Sequence, residues 1–208
     1  MPICDQKTED PIQAFVFDVK DELTLKELQA ESLKILKEGN RRYFTASVAS
    51  ADISPGRRQL TAERGQRPYA IVIACSDSRV IPEAIFSCGI GDLFTVRVAG
   101  NVLDQHQLGS VEYAAAHLQC PLVVVLGHTR CGAVEAAISG HNDGFIRSIT
   151  DEIRKASGPE RDPLKVSRLN VRRGVQLLRE AFRQHPEISS LRVIGAIYDV
   201  DTGEVRWM

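Results

Sequence analysis

The stretch YAIVIACSDSRV, residues 69–80, decides the fold. Its first seven residues, 69–75, run apolar without a polar break, which is short for a helix and rich in β-branched residues. Such a run reads as a strand buried on both faces. It stops at Cys75, Asp77 and Arg79. A second stretch, LVVVLGHTRCGAV at 122–134, is built the same way: an apolar run that ends in His128 and Cys131. DLFTVRVAG (92–100) and LRVIGAIYDV (191–200) supply two more strands, and helical spacing recurs around 107–118, 132–139, 145–156 and 163–184. Strands alternating with helices predict an α/β domain whose central, largely parallel β-sheet is flanked by helices. The DTG turn at 201–203 leads into EVRWM, which reads as a hairpin partner and so as an antiparallel edge strand.

Ahead of this pattern, TLKELQAESLKILKE (24–38) places Leu25, Leu28, Leu33, Ile35 and Leu36 at helical spacing. Thr24 and Glu27 form a capping box, and Gly39 reads as the stop. Residues 45–68, rich in Ser, Pro, Gly and Arg, read as a long connection. The chain is thereby divided into an N-terminal helical arm over 1–44 and an α/β domain over 45–208.

The 208 residues suit one domain with an appended arm. Twenty-six basic residues against twenty-seven acidic ones give a net charge of −1, so the totals give no sign of a nucleic-acid-binding face. No stretch approaches the roughly 18 apolar residues that span a bilayer. The N-terminal MPICDQKTEDPIQ lacks the basic segment and apolar run of a secretory signal, so a cytoplasmic location is expected. Five cysteines at 4, 75, 88, 120 and 131 make a poor disulfide framework and point to reduced thiols.

In open α/β sheets, ligands sit beyond the carboxyl ends of the strands. The rim carrying Cys75, Asp77 and Arg79 is therefore expected to meet the one carrying His128 and Cys131. Two thiolates and an imidazole suit zinc, and three protein ligands leave a fourth tetrahedral position open. Taken singly, a buried Cys is an apolar filler and a strand-end His a hydrogen-bonding residue. Other thiol chemistries fit less well. There is no CxxC, no GxxxxGK[ST] loop, and GIGDLF lacks the third glycine of a dinucleotide motif. A Cys–His nucleophile pair stays open, but it leaves the second Cys and the Asp–Arg pair without a use. Asp77 and Arg79 are either a surface ion pair or a carboxylate held beside a metal, where it orients a reactant or itself becomes the fourth ligand.

These stretches resemble the β-class carbonic anhydrases. The resemblance rests on CSDSR (75–79), GDLFTVRVAGN (91–101) and GHTRCGAV (127–134), with HxxC about fifty residues after CxDSR. LKEGNRRY (36–43), GQRPYAIVIAC (65–75), SVEYAAAHL (110–118) and GAIYDVDTGEV (195–205) support it, so most of the chain from about residue 25 is covered. The resemblance implies a lyase that binds one Zn2+ per chain through Cys75, His128 and Cys131. It makes Asp77 and Arg79 the catalytic dyad, with Asp77 as the fourth ligand in a closed state. It puts Gln66, Phe94, Tyr113 and Gly132 around carbon dioxide. The implied reaction is the reversible hydration of carbon dioxide to bicarbonate and a proton by zinc-bound hydroxide. Zinc brings its water to a pKa of about 7 in the three-histidine enzymes, and two thiolates imply a somewhat higher value. The resemblance also implies a homodimer, paired in some members into a dimer of dimers, with the arm embracing the partner and no nucleic-acid or membrane partner. His106 and His141 are candidates by position for moving the proton to buffer. Two residues depart from the family pattern. Val72 stands where bicarbonate-regulated members carry Trp, and Val98 replaces an Asn next to Ala99.

Overall fold

The computed structural model describes residues 23–45 and 51–208. Five strands form one sheet in the order β2-β1-β3-β4-β5: β1 (Ala70–Ala74), β2 (Leu93–Arg97), β3 (Leu122–His128), β4 (Arg192–Tyr198) and β5 (Val205–Trp207). The first four run parallel, and β5 pairs antiparallel with β4, as the DTG turn predicts. Every residue of β1 and β3 is buried. Their unbroken apolar runs reflect the cover of helices on both faces.

Side-chain alternation divides the core. Ala70, Val72 and Ala74 join Leu122, Val124 and Leu126 on one face, under Ile35 and Leu36 of helix α1 (Leu25–Thr45). Ile71, Ile73, Val123 and Val125 face the other way, with Val111 and Ala114 from the helix over Gln105–Ala116, and Val171 and Leu178 from the helix over Pro163–Phe182. In chain order the remaining helices are α2 (Pro55–Arg64), α3 (Pro82–Ile85), α4 (Gln105–Ala116), α5 (Gly132–Ile138), α6 (Ile146–Ser157) and α7 (Pro163–Phe182).

Two local readings need correction. Helix α1 starts at the expected capping box, where the Thr24 amide donates to Glu27 Oε2 at 2.9 Å, but it runs through Gly39 to Thr45. Gly39 is there for a close approach: a Cβ at this position would lie 1.9 Å from the Phe86 carbonyl oxygen. The long connection at 45–68 also contains helix α2, capped by Ser54 Oγ, which accepts from the Arg57 amide, with Pro55 in its first turn. Its buried residue is Arg57, ion-paired with the buried Asp92 at the entry to β2. Among the described residues no helix is long and apolar enough to cross a membrane.

Candidate metal centre

Strands β1 and β3 are neighbours in register, Ala74 beside Leu126, so the turns that follow them leave the sheet on the same rim. Cys75 follows β1 directly, His128 closes β3, and Cys131 caps α5. The ligand atoms of Cys75, His128 and Cys131 all lie within 4.8 Å of one another. The residues are 4 %, 1 % and 3 % exposed, and Val134, Ala137, Ile153 and Val166 pack around the thiols.

The donors suit a thiophilic divalent ion. Tetrahedral zinc with sulfur at about 2.3 Å spaces its ligand atoms by about 3.8 Å, which fits inside the 4.8 Å that bounds the three donor atoms. His128 Nδ1 lies 2.9 Å from the Thr129 carbonyl, which can only accept, so Nδ1 carries the hydrogen and Nε2 keeps its lone pair. Nε2 is buried and has no hydrogen-bond partner among the described residues. A buried lone pair beside two thiols is the arrangement a metal satisfies. The Asp77 and Gly100 amides donate to Cys75 Sγ at 3.4 and 3.2 Å. A hydrogen bond from Cys131 is the largest influence on the Cys75 thiol and, with those amides, pulls it down to about 4. The hydrogen bond with Cys75 and burial push the Cys131 thiol up in return, as expected for two adjacent sulfurs sharing a proton. Gly100 delivers its amide from a left-handed conformation, φ 67°, and a Cβ there would come within 2.9 Å of Ile153 Cδ1.

Asp77 stands beside this cluster on a fork of arginine. Arg79 Nε donates to Oδ1 at 2.9 Å and Nη2 to Oδ2 at 2.7 Å, while the Arg79 amide also reaches Oδ1. These bonds hold the Asp77 carboxyl well below the usual carboxylate range. Arg79 Nη2 also donates to the Arg130 carbonyl at 3.0 Å, so one guanidinium joins the two turns.

The pocket residues are distributed differently. Phe94 on β2 and Tyr113 on α4 form an aromatic pair with centroids 6.2 Å apart, and Tyr113 is 48 % exposed. Gln66 is exposed just before β1, and Gly132 opens α5 beside Cys131 with open space where a Cβ would be. Among the described residues no hydrogen bond or ring contact joins Gln66, Phe94 or Tyr113 to the Cys–His–Cys cluster. His106 and His141 are exposed surface residues. Asn101, three residues after the position where Val98 departs from the family pattern, is buried, and its Nδ2 has no hydrogen-bond partner among the described residues.

The sequence reading missed Arg97, the last residue of β2. Its Nε donates to the Cys75 carbonyl at 3.1 Å and its Nη2 to the Asp77 carbonyl at 2.8 Å. The available signal was a cation at a strand end beside the strand that carries the first thiol.

The carbonic anhydrase family model matches residues 70–205. A carbonic anhydrase of Mycolicibacterium smegmatis is 36% identical over 83% of this chain and 90% of its own length. Carbonic anhydrase 2 of Mycobacterium tuberculosis is 37% identical over 82% and 88%. Among solved structures, the β-carbonic anhydrase CafA of Aspergillus fumigatus is similar at a TM-score of 0.65 and 31% identity, over 74% of this chain and 81% of that one. A tetrameric β-carbonic anhydrase of Sordaria macrospora is similar at 0.63 and 25%, over 86% and 94%. With the parallel sheet, the two cysteines and histidine at its rim and the Asp–Arg fork beside them, these likenesses place the chain in the β-class carbonic anhydrase family.

Proposed function

We propose that this chain catalyses the zinc-dependent, reversible hydration of carbon dioxide to bicarbonate and a proton, with Cys75, His128 and Cys131 holding one Zn2+. The observation that carries the reading is the buried His128 Nε2, without a hydrogen-bond partner among the described residues, beside two thiols that lie next to a carboxylate. Bound there, zinc supplies the Lewis acidity that makes a water nucleophilic near neutral pH.

The chain's own residues do the rest. The amides of Asp77 and Gly100 stabilise negative charge on Cys75, and Thr129 fixes the His128 tautomer. Asp77, ionised through the working pH range, is the acceptor for a proton of the reacting water and so orients its lone pair. Arg79 engages both carboxylate oxygens, which supports Asp77 as an acceptor beside the metal, using a remaining lone pair, instead of a fourth ligand. Gln66, Phe94, Tyr113 and Gly132 form the pocket for carbon dioxide and bicarbonate.

The proposal includes a homodimer in which a partner covers the exposed Gln66 and Tyr113, with residues 1–44 as the embracing arm and 45–208 as the catalytic domain. The tetrameric Sordaria relative supports further pairing of dimers. A cytoplasmic location is supported by Cys75, Cys88 and Cys131, which form no disulfide among the described residues.

Stopped-flow hydration of carbon dioxide by zinc-quantified protein, from about pH 6.5 to about pH 9, tests the reading. Rapid turnover at one zinc per chain is expected. No turnover at full zinc occupancy across that range would sink it.

A further inference from the structure

We infer that Arg97 is a positioning residue for the metal centre, clamping the backbone that carries both Cys75 and Asp77. The inference rests on the metal-site reading above and adds a residue to it.

Arg97 is the last residue of β2 and pairs in register with Ala74, one residue before Cys75. Beyond that pair the chain turns away, and ladder bonding from β2 gives out. The Ser76 amide still reaches the Val98 carbonyl at 3.2 Å, and past the last parallel pair the carbonyls of Cys75 and Asp77 are met by a side chain instead of a β2 amide. Arg97 takes both, Nε donating to Cys75 at 3.1 Å and Nη2 to Asp77 at 2.8 Å. These are charge-assisted bonds from a rigid planar fork, so the spacing of the two carbonyls is set by the guanidinium and not by the turn alone.

The two clamped residues have different tasks: one provides a thiolate, the other a carboxylate. Fixing both carbonyls to one plane sets where the Asp77 side chain leaves the backbone relative to Cys75 Sγ. Arg79 then catches the carboxylate from the other side. Arg97 therefore keeps the carboxylate within reach of Arg79 and at a constant distance from the thiol. Its charge is not spent on a carboxylate: among the described residues it makes no ion pair.

The test compares wild type, Arg97→Met and Arg97→Lys, each loaded with Zn2+ or Co2+. The readouts are the rate of zinc loss to a chelator, the Co2+ absorption bands, unfolding midpoints, and turnover split into kcat and KM. Zinc loss from Arg97→Met is expected to be roughly 10–100-fold faster, the range seen when residues supporting a ligand are removed. Its cobalt bands should shift and kcat should fall with KM little changed. Arg97→Lys, which can hold one carbonyl, should fall between. A purely structural arginine would lower the unfolding midpoint alone. Wild-type zinc retention and cobalt bands in both variants would overturn the inference. If Arg97→Met does not fold, Arg97→Lys decides by the same readouts. Wild type that binds no zinc, or binds it without turnover, would instead count against the proposed function.

Discussion

The turn after β1 and the turn after β3 each bring a thiol to the same rim, yet they are held by different forces. Residues 75–79 are fixed by side-chain hydrogen bonds: Arg97 on two carbonyls, Arg79 on Asp77, and the Gly100 amide on Cys75 Sγ. Residues 128–131 combine main-chain and hydroxyl hydrogen bonds, an Arg130–Asp201 ion pair and packing under the thiol. The Thr129 amide donates to the Tyr198 carbonyl at 2.9 Å, Thr129 Oγ1 accepts from Val200, and Cys131 sits on Val134, Ala137, Ile153 and Val166. The first turn hangs on two arginine forks, while the second adds a packed volume under its thiol to its polar bonds. Arg79, which reaches the Arg130 carbonyl, couples the two.

Removing a ligand from either turn should erase that difference, because both thiols serve one ion. Cys75→Ser and Cys131→Ser are each expected to drop zinc below one per chain and turnover to background, as read by metal analysis and stopped flow. Full zinc in either would break the shared-site assignment. Substituting within the first turn should leave zinc bound but slow the reaction. Asp77→Asn is expected to lose roughly 10²–10⁴ in kcat, the usual range for a positioned proton-transfer group. Unchanged kcat at equal zinc content would remove Asp77 from the chemistry.

Beneath the second turn the expected loss is in stability. Ile153, fully buried, touches the packing around Cys131, and Ile153→Ala should cost about 2–5 kcal/mol in urea unfolding. A change below about 1 kcal/mol would show that packing does not hold this side. Acid gives a finer contrast. Arg79 makes Asp77 titrate lower in the folded chain than in the unfolded one. The carboxylate's stabilisation is thus complete above an unfolded pKa of about 4 and is lost as pH falls through the depressed folded value. The stability gap between wild type and Asp77→Asn should therefore narrow between about pH 5 and about pH 2. A constant gap would mean that the carboxylate's charge adds nothing. The smallest effect is expected for Ser167→Ala, which removes a 3.3 Å bond to the His128 carbonyl and should cost about 0.5–1.5 kcal/mol with zinc retained.

What could be read from sequence follows the same division. The strands and the thiol and imidazole positions were legible, since buried parallel strands are short apolar runs and ligands follow their carboxyl ends. Gly39 misled because its use is a tertiary approach to Phe86, which no local pattern records. Helix α2 was hidden because its one buried side chain is an arginine, so it carries no apolar stripe. Arg97 escaped for a related reason: its partners are carbonyls 20 or more residues away, and carbonyls have no sequence signature.

The pairing of Arg57 with Asp92 bears on how this sequence can drift. Both side chains are nearly sealed from water, at 1% and 5% exposure. Losing either alone leaves a stranded charge, at roughly 3–5 kcal/mol, while an apolar pair of similar volume is often neutral or better. The two positions are therefore expected to change together or not at all, through a valley that single substitutions cross only in a background with stability to spare.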